Sequence, residues 1–172
     1  MGEGGTMLVS EPTKLFIGGA WVEGSAGTYE VINPSTAAVV GLVADASEDD
    51  ARAAAAAAAE AFPAWSRTSP EERAAVMLRV ADLLDHRRDD LVPVVQAETG
   101  ATMRVTKTMQ IPQVGVRFRR YAAGALESRR ILLPAGESPA TALAPGGLVS
   151  AEARREPVGV VTAITSFNFP LT

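Results

Sequence analysis

The hydrophobic pattern begins with short apolar runs, passes into helical spacing, and ends in one unbroken β-branched stretch. Leu15-Phe16-Ile17 and Ala20-Trp21-Val22 flank Gly18-Gly19, which predicts a β-hairpin with Trp21 packed in the core. Tyr29 to Asn33 reads as a third strand stopped by Asn33-Pro34, and Val39 to Val43 as a fourth. Ser47 then caps a helix whose first turn carries Glu48, Asp49 and Asp50, acids suited to the positive end of the dipole. Ala53 to Ala59 continue it, giving a slim helix able to pack closely on a neighbour. It is expected to end before Pro63. Ser69-Pro70-Glu71-Glu72 is a second start signal: a cap, a proline at the first helical position, and a capping-box acid. Ala74, Met77, Leu78, Ala81 and Leu84 recur at helical spacing as its core face.

His86-Arg87-Arg88 closes that helix with cations. Asp90 is expected to cap a third helix, with Pro93 in its first turn and Gly100 ending it. Thr102 to Leu126 is helical again, bent or interrupted at Pro112, with Val114, Phe118, Tyr121, Ala122 and Ala125 on the apolar face. Arg117, Arg119 and Arg120 read as a solvated face. His86 and Glu98 lack neighbours that would make them a metal ligand or a general base, so both read as helix-terminal polar residues.

From Arg129 the periodicity fades. Ile131 to Leu133 is a brief strand, Gly136 to Gly147 is rich in Gly, Pro, Ala and Ser, and Leu148 to Arg155 is an extended arm. Val158 to Ile164 is the closing apolar run, the pattern of a strand buried on both faces of a parallel sheet. Phe169 precedes Pro170, so the chain should turn there. Asn168 would then stand at the carboxyl end of a buried strand, where open α/β sheets collect ligands. Its amide offers two N–H donors and no charge, which suits a developing oxyanion. The same asparagine also reads as a turn former or helix cap, and the residues alone leave both readings open.

Glu156-Pro157-Val158-Gly159-Val160-Val161, then Ile164, then Phe167-Asn168-Phe169-Pro170-Leu171 resembles the start of the cofactor domain in NAD(P)-dependent aldehyde dehydrogenases. Val31-Ile32-Asn33-Pro34-Ser35-Thr36 and Glu98-Thr99-Gly100 resemble family segments upstream, in the expected order. Ser166 and Phe167 stand where the family often has Pro and Trp. The resemblance runs from Lys14 to Leu171 and corresponds to the opening part of a full-length member. It implies oxidation of a small-molecule aldehyde to a carboxylic acid with NAD or NADP. It makes Asn168 an oxyanion donor and places Thr165, Ser166, Phe167 and Asn168 against the cofactor. The family also pairs strands like those of residues 129–155 with a neighbouring subunit, so a homo-oligomer is implied.

Composition narrows this reading. At 172 residues, 47% apolar and 21% charged, the chain is of globular type. A net charge of −4 argues against nucleic acid as a partner, and no apolar run is long enough for a membrane span. Met1 to Ser10 is Gly-rich and shows no signal-peptide pattern, which leaves the cytoplasm as the default compartment. Cysteine is absent, which removes disulfides, thiolate metal sites and the thiol nucleophile through which aldehyde dehydrogenases work. No G-x-G-x-x-G or P-loop occurs. The expected organisation is α/β: a flexible tail over 1–11, then strands and a helical layer over 12–128. An oligomerisation arm over 129–155 follows, and 156–172 open a Rossmann-like parallel sheet, with the catalytic domain absent from this chain. The chain alone is expected to be inactive. The rival reading is a non-catalytic truncated family fragment that acts at most through oligomerisation.

Overall fold

Gly18 and Gly19 set the first turn of the computed structural model, which describes residues 11–171. The tail expected over 1–11 lies outside the described residues except for Glu11. Both glycines have positive φ, 59° and 84°, the geometry of a two-residue hairpin turn that matches strand twist. They join β1 (Leu15–Ile17) to β2 (Ala20–Val22) in antiparallel register. Trp21 is not in the core. It is 69% exposed, and its ring meets that of Phe16, directly opposite, with ring centroids 4.9 Å apart. A two-stranded hairpin has one neighbour per residue, so a cross-strand aromatic pair is the contact it can make.

β3 (Gly27–Ile32) pairs antiparallel with β4 (Val39–Asp45). Thr13 adds a short parallel bridge on β4, donating to Leu42 O at 3.0 Å and accepting from Ala44 N at 2.9 Å. The β3–β4 turn is the Asn33-Pro34-Ser35-Thr36 stretch. Asn33 Oδ1 accepts from Ser35 N at 2.8 Å, a side-chain turn of the kind asparagine favours. Ser35 Oγ then donates to Gly100 O at 3.2 Å. Gly100 has φ of 66°, and a Cβ there would lie 2.6 Å from Pro34 Cγ. The end of the third helix is thus fastened to the sheet turn at a point that only glycine fits.

α1 (Glu48–Trp65) is capped by Ser47, and the cap is reciprocal: Asp50 N donates to Ser47 Oγ at 3.2 Å and Ser47 N to Asp50 Oδ2 at 2.9 Å. The helix runs through Pro63 rather than stopping before it. A proline in the last turn forfeits one backbone bond, and Ser66 N still reaches Phe62 O at 2.8 Å. The alanine run gains little cover: no residue of α1 is buried, and within Ala53 to Ala59 only Ala57, beside Gly18, is half-buried. α2 (Pro70–His86) carries the capping box as expected, with Ser69 N to Glu72 Oε2 at 2.8 Å. Ala74 and Ala81 are buried and Met77 and Leu84 half-buried, but Leu78 is exposed on the rim of the face.

α3 (Arg88–Thr99) starts two residues before Asp90. Arg87 alone separates it from α2, and its carbonyl accepts from Asp90 N and Leu91 N, both at 3.1 Å. Asp90 therefore lies in the first turn instead of capping it, and Pro93 falls inside the helix. The next helix breaks just before Pro112 rather than at it. α4 (Met103–Val105) passes into a widened π-turn, Thr106–Gln110, and then into α5 (Ile111–Ala125). Ile111 N reaches back five residues to Thr106 O. Proline lacks a donor and crowds the carbonyl four residues earlier, here Thr108, so a wider turn relieves both problems. Val114 and Ala122 are buried, Phe118 and Ala125 half-buried, and Tyr121 is 65% exposed. α2 and α5 pack together, and Arg119 joins them through ion pairs to Asp82 at 2.8 Å and Asp85 at 2.7 Å. Val92, Val95 and Ile111 form the core cluster, with Leu91 and Leu171 packed against it.

β5 (Arg130–Ser138) and β6 (Gly147–Arg154) form an antiparallel hairpin, exposed along its whole length. β5 is three times longer than the brief strand expected at 131–133. The register shifts between Leu133 and Gly136, with one more residue on β5 than on β6. Pro134 falls at this bulge, where a missing donor does least harm. Val158 to Ile164 forms no strand. Val158 is 89% and Ile164 94% exposed. A strand exists only through pairing, and no described segment pairs with this one.

Asp50 gives the fold a pH dependence. The Ser25 hydroxyl (2.7 Å), then the Ser25 amide (2.9 Å) and the Ser47 amide, all donate to Asp50 Oδ2. They draw its carboxyl from 3.8 down to about 2. A depressed carboxyl stabilises the fold above its unfolded value and loses that contribution as pH falls through the folded one. Acid should therefore unwind the start of α1 between about pH 4 and pH 2. Circular dichroism should show a steeper acid loss for the natural chain than for Asp50→Asn. Parallel curves would contradict this coupling.

Candidate functional site

The Asn168 turn is held by its downstream side. Phe169, Pro170 and Leu171 are each half-buried, and Leu171 packs on Val92, Val95 and Ile111. A shallow cavity beside Leu171 is lined by Met77, Val114, Phe118 and Tyr121 of α2 and α5. The upstream side is open: Thr165, Ser166 and Phe167 are exposed, Phe167 to 92%. Asn168 sits between the two. It is exposed and makes no hydrogen bond to the described residues, and no described helix follows it to be capped. The sequence places four candidate residues together, and the structure keeps them adjacent along the chain without closing a pocket around them. His86 and Glu98 are exposed at helix ends, and no metal-holding group of three or more side chains occurs among the described residues.

One polar residue escaped the sequence reading. Gln110, in the π-turn, is fully buried, and neither its side-chain oxygen nor its nitrogen finds a hydrogen-bond partner among the described residues. A glutamine at helical spacing gives no warning of this, because the widened turn that swings it inward is set by Pro112 two residues later.

A sequence model of the aldehyde dehydrogenase family matches residues 21–172, a span that takes in β3 to β6, the helices and the Asn168 turn. The chain belongs to the aldehyde dehydrogenase family. Its fold is that of the family's N-terminal region. It is similar to HpcC from Thermus thermophilus, at 32% identity over 73% of this chain and 25% of that one, with a TM-score of 0.67. It is similar also to PnpE from Pseudomonas sp. WBC-3, at 29% identity over 94% of this chain and 31% of that one, with a TM-score of 0.80. A third likeness is to a double mutant of betaine aldehyde dehydrogenase from Staphylococcus aureus, in complex with NAD+. There the identity is 28% over 92% of this chain and 30% of that one, with a TM-score of 0.80. The chain thus spans less than a third of the length of each of these three proteins.

The residues present do not by themselves fit a dinucleotide. Thr165 to Phe167 are exposed, and the sequence holds no glycine-rich phosphate turn. They could supply one side of a site and no more. No helix among the described residues is long and apolar enough to cross a membrane.

Proposed function

We propose that this chain serves aldehyde oxidation to a carboxylic acid, in a protein that carries the family's remaining domains, with Asn168 as an oxyanion donor. The observation that supports this best is the unengaged Asn168 amide, exposed one residue before the anchored Phe169-Pro170-Leu171 segment and within the family match. A nucleophile adding to an aldehyde carbon pushes negative charge onto the carbonyl oxygen. An N–H fixed toward that oxygen stabilises the charge without having to reorganise. Asn168 Nδ2 is such a donor, and the Leu171 contact limits how far it can wander. The oxidant in this proposal is NAD or NADP, and Thr165, Ser166 and Phe167 are its proposed contacts. A small-molecule aldehyde is the substrate and the cytoplasm the proposed compartment. The test is turnover of the Asn168 variants in that longer protein, argued in the Discussion.

A second reading is favoured by a specific observation. The 172 residues contain no cysteine, so this chain alone lacks the thiol for covalent attack. By itself it would be catalytically silent and would act through its arm. Residues 129–155 are proposed as that oligomerisation surface. Among the described residues β5 and β6 pair only with each other and expose every residue, and unpaired edges recruit strands. Val149→Pro should then weaken assembly, because proline removes a backbone donor and resists a ladder position. Native mass spectrometry should show fewer oligomers for the variant. An unchanged oligomer would place the contact elsewhere.

A further inference from the structure

Both faces at the root of the β5–β6 arm carry arginines set directly opposite one another. Arg130 pairs with Arg154 in the ladder. One step outward, Arg155 N donates to Arg129 O at 2.9 Å. Like charges directly opposite on an antiparallel pair repel. On the first face the repulsion is partly answered by Glu152, 3.8 Å from Arg130. On the second face it is not: neither Arg129 nor Arg155 has an ion-pair partner among the described residues.

Arg129 and Arg155 open onto a cavity where the arm meets the helical layer, and Arg73 of α2 lines it from the other side. Arg73 is held in place by a hydrogen bond from Nη1 to Thr68 O and also forms no ion pair among the described residues. Glu127 and Glu156 line the same cavity, yet neither pairs with any of the three guanidinium groups. The floor is small, Gly124 and Ala125. Three arginines thus line one concavity together with two glutamates, and no ion pair joins them.

We infer that Arg73, Arg129 and Arg155 form a binding site for a single oxyanion group, a phosphate or a carboxylate. Guanidinium forks recognise such groups through paired N–H donors. An anion seated there would also relieve the repulsion between Arg129 and Arg155. Binding would tie the arm root to α2. The group can come from a free small anion or from a carboxylate of a second copy of this chain.

Calorimetric titration of inorganic phosphate into the 172-residue chain, at constant ionic strength, tests the site. Arg129→Gln with Arg155→Gln should weaken saturable binding by about a hundredfold, roughly tenfold for each charged hydrogen-bonding partner removed. Arg117→Gln with Arg120→Gln makes the same charge change on the solvated face of α5 and should leave binding intact. Sedimentation in phosphate and in chloride separates the sources. A free anion leaves the natural chain's association unchanged. A second copy's carboxylate gives association that phosphate reduces in the natural chain and not in the Arg129, Arg155 variant. Absence of saturable phosphate binding together with phosphate-insensitive association overturns the inference. So does equal weakening by the two double variants, which would reduce the effect to net charge.

Discussion

Asn168→Ala, made in a protein that carries the family's remaining domains, should lower turnover by about 10²–10³, the usual loss for one oxyanion donor. The expectation rests on where the residue sits. Asn168 is exposed and makes no hydrogen bond to the described residues, so truncating it removes no contact that the N-terminal fold uses. Thermal melts of the variant should therefore match the natural protein. Cofactor affinity should change little, because the amide is lost only as a partner of the developing charge. Steady-state kinetics with melts alongside would check both halves. A variant that melts early yet turns over normally would make Asn168 a turn former and nothing more.

The 172-residue chain on its own should self-associate and melt over a broad range. Val158, Val161 and Ile164 are 89%, 70% and 94% exposed, and Phe167 92%. Together with the open arm they form far more uncovered apolar surface than single exposed side chains would. The core is correspondingly thin: eight buried hydrophobic residues among the described ones, four of them alanines. Burial of roughly 25 cal/mol per Å2 needs large side chains to offset the ordering of backbone, and alanines contribute little. Sedimentation at several concentrations should show mass rising with concentration. A monodisperse monomer with a sharp, cooperative melt would mean that the exposed run has found cover.

Local chemistry was legible in the sequence wherever it acts within a few residues. The glycine pair at Gly18-Gly19, the caps at Ser47 and Ser69 and the stop at Gly100 stand where their chemistry puts them. So does the proline disturbance of the fourth helical stretch, displaced by a few residues because the clash falls on Thr108 and not on Pro112 itself. What failed was burial. Trp21, Leu78, Tyr121 and most of the alanine run of α1 were expected to pack against a neighbour, and the described residues leave them exposed. Spacing tells which side of an element is apolar and not what comes to lie against it. Val158 to Ile164 shows the limit most plainly: its composition is that of a doubly buried strand, yet a strand is defined by neighbours. The site was legible only as an order of residues along the chain. Thr165 to Asn168 can be named from the motif, but a pocket needs a second wall, and no described residue supplies one. Gln110 was invisible because its burial follows from the turn that a later proline imposes.

Asn168→Asp separates the two roles of this residue most directly. Aspartate is a good turn and cap residue, so a purely structural position would accept it. An oxyanion site would not, because the change removes a donor and sets a carboxylate beside developing negative charge. The measurement is single-turnover cofactor reduction by Asn168→Asp in the longer protein. An oxyanion role predicts a rate at least as depressed as that of Asn168→Ala, with an unchanged melt. A rate near that of the natural protein would contradict it.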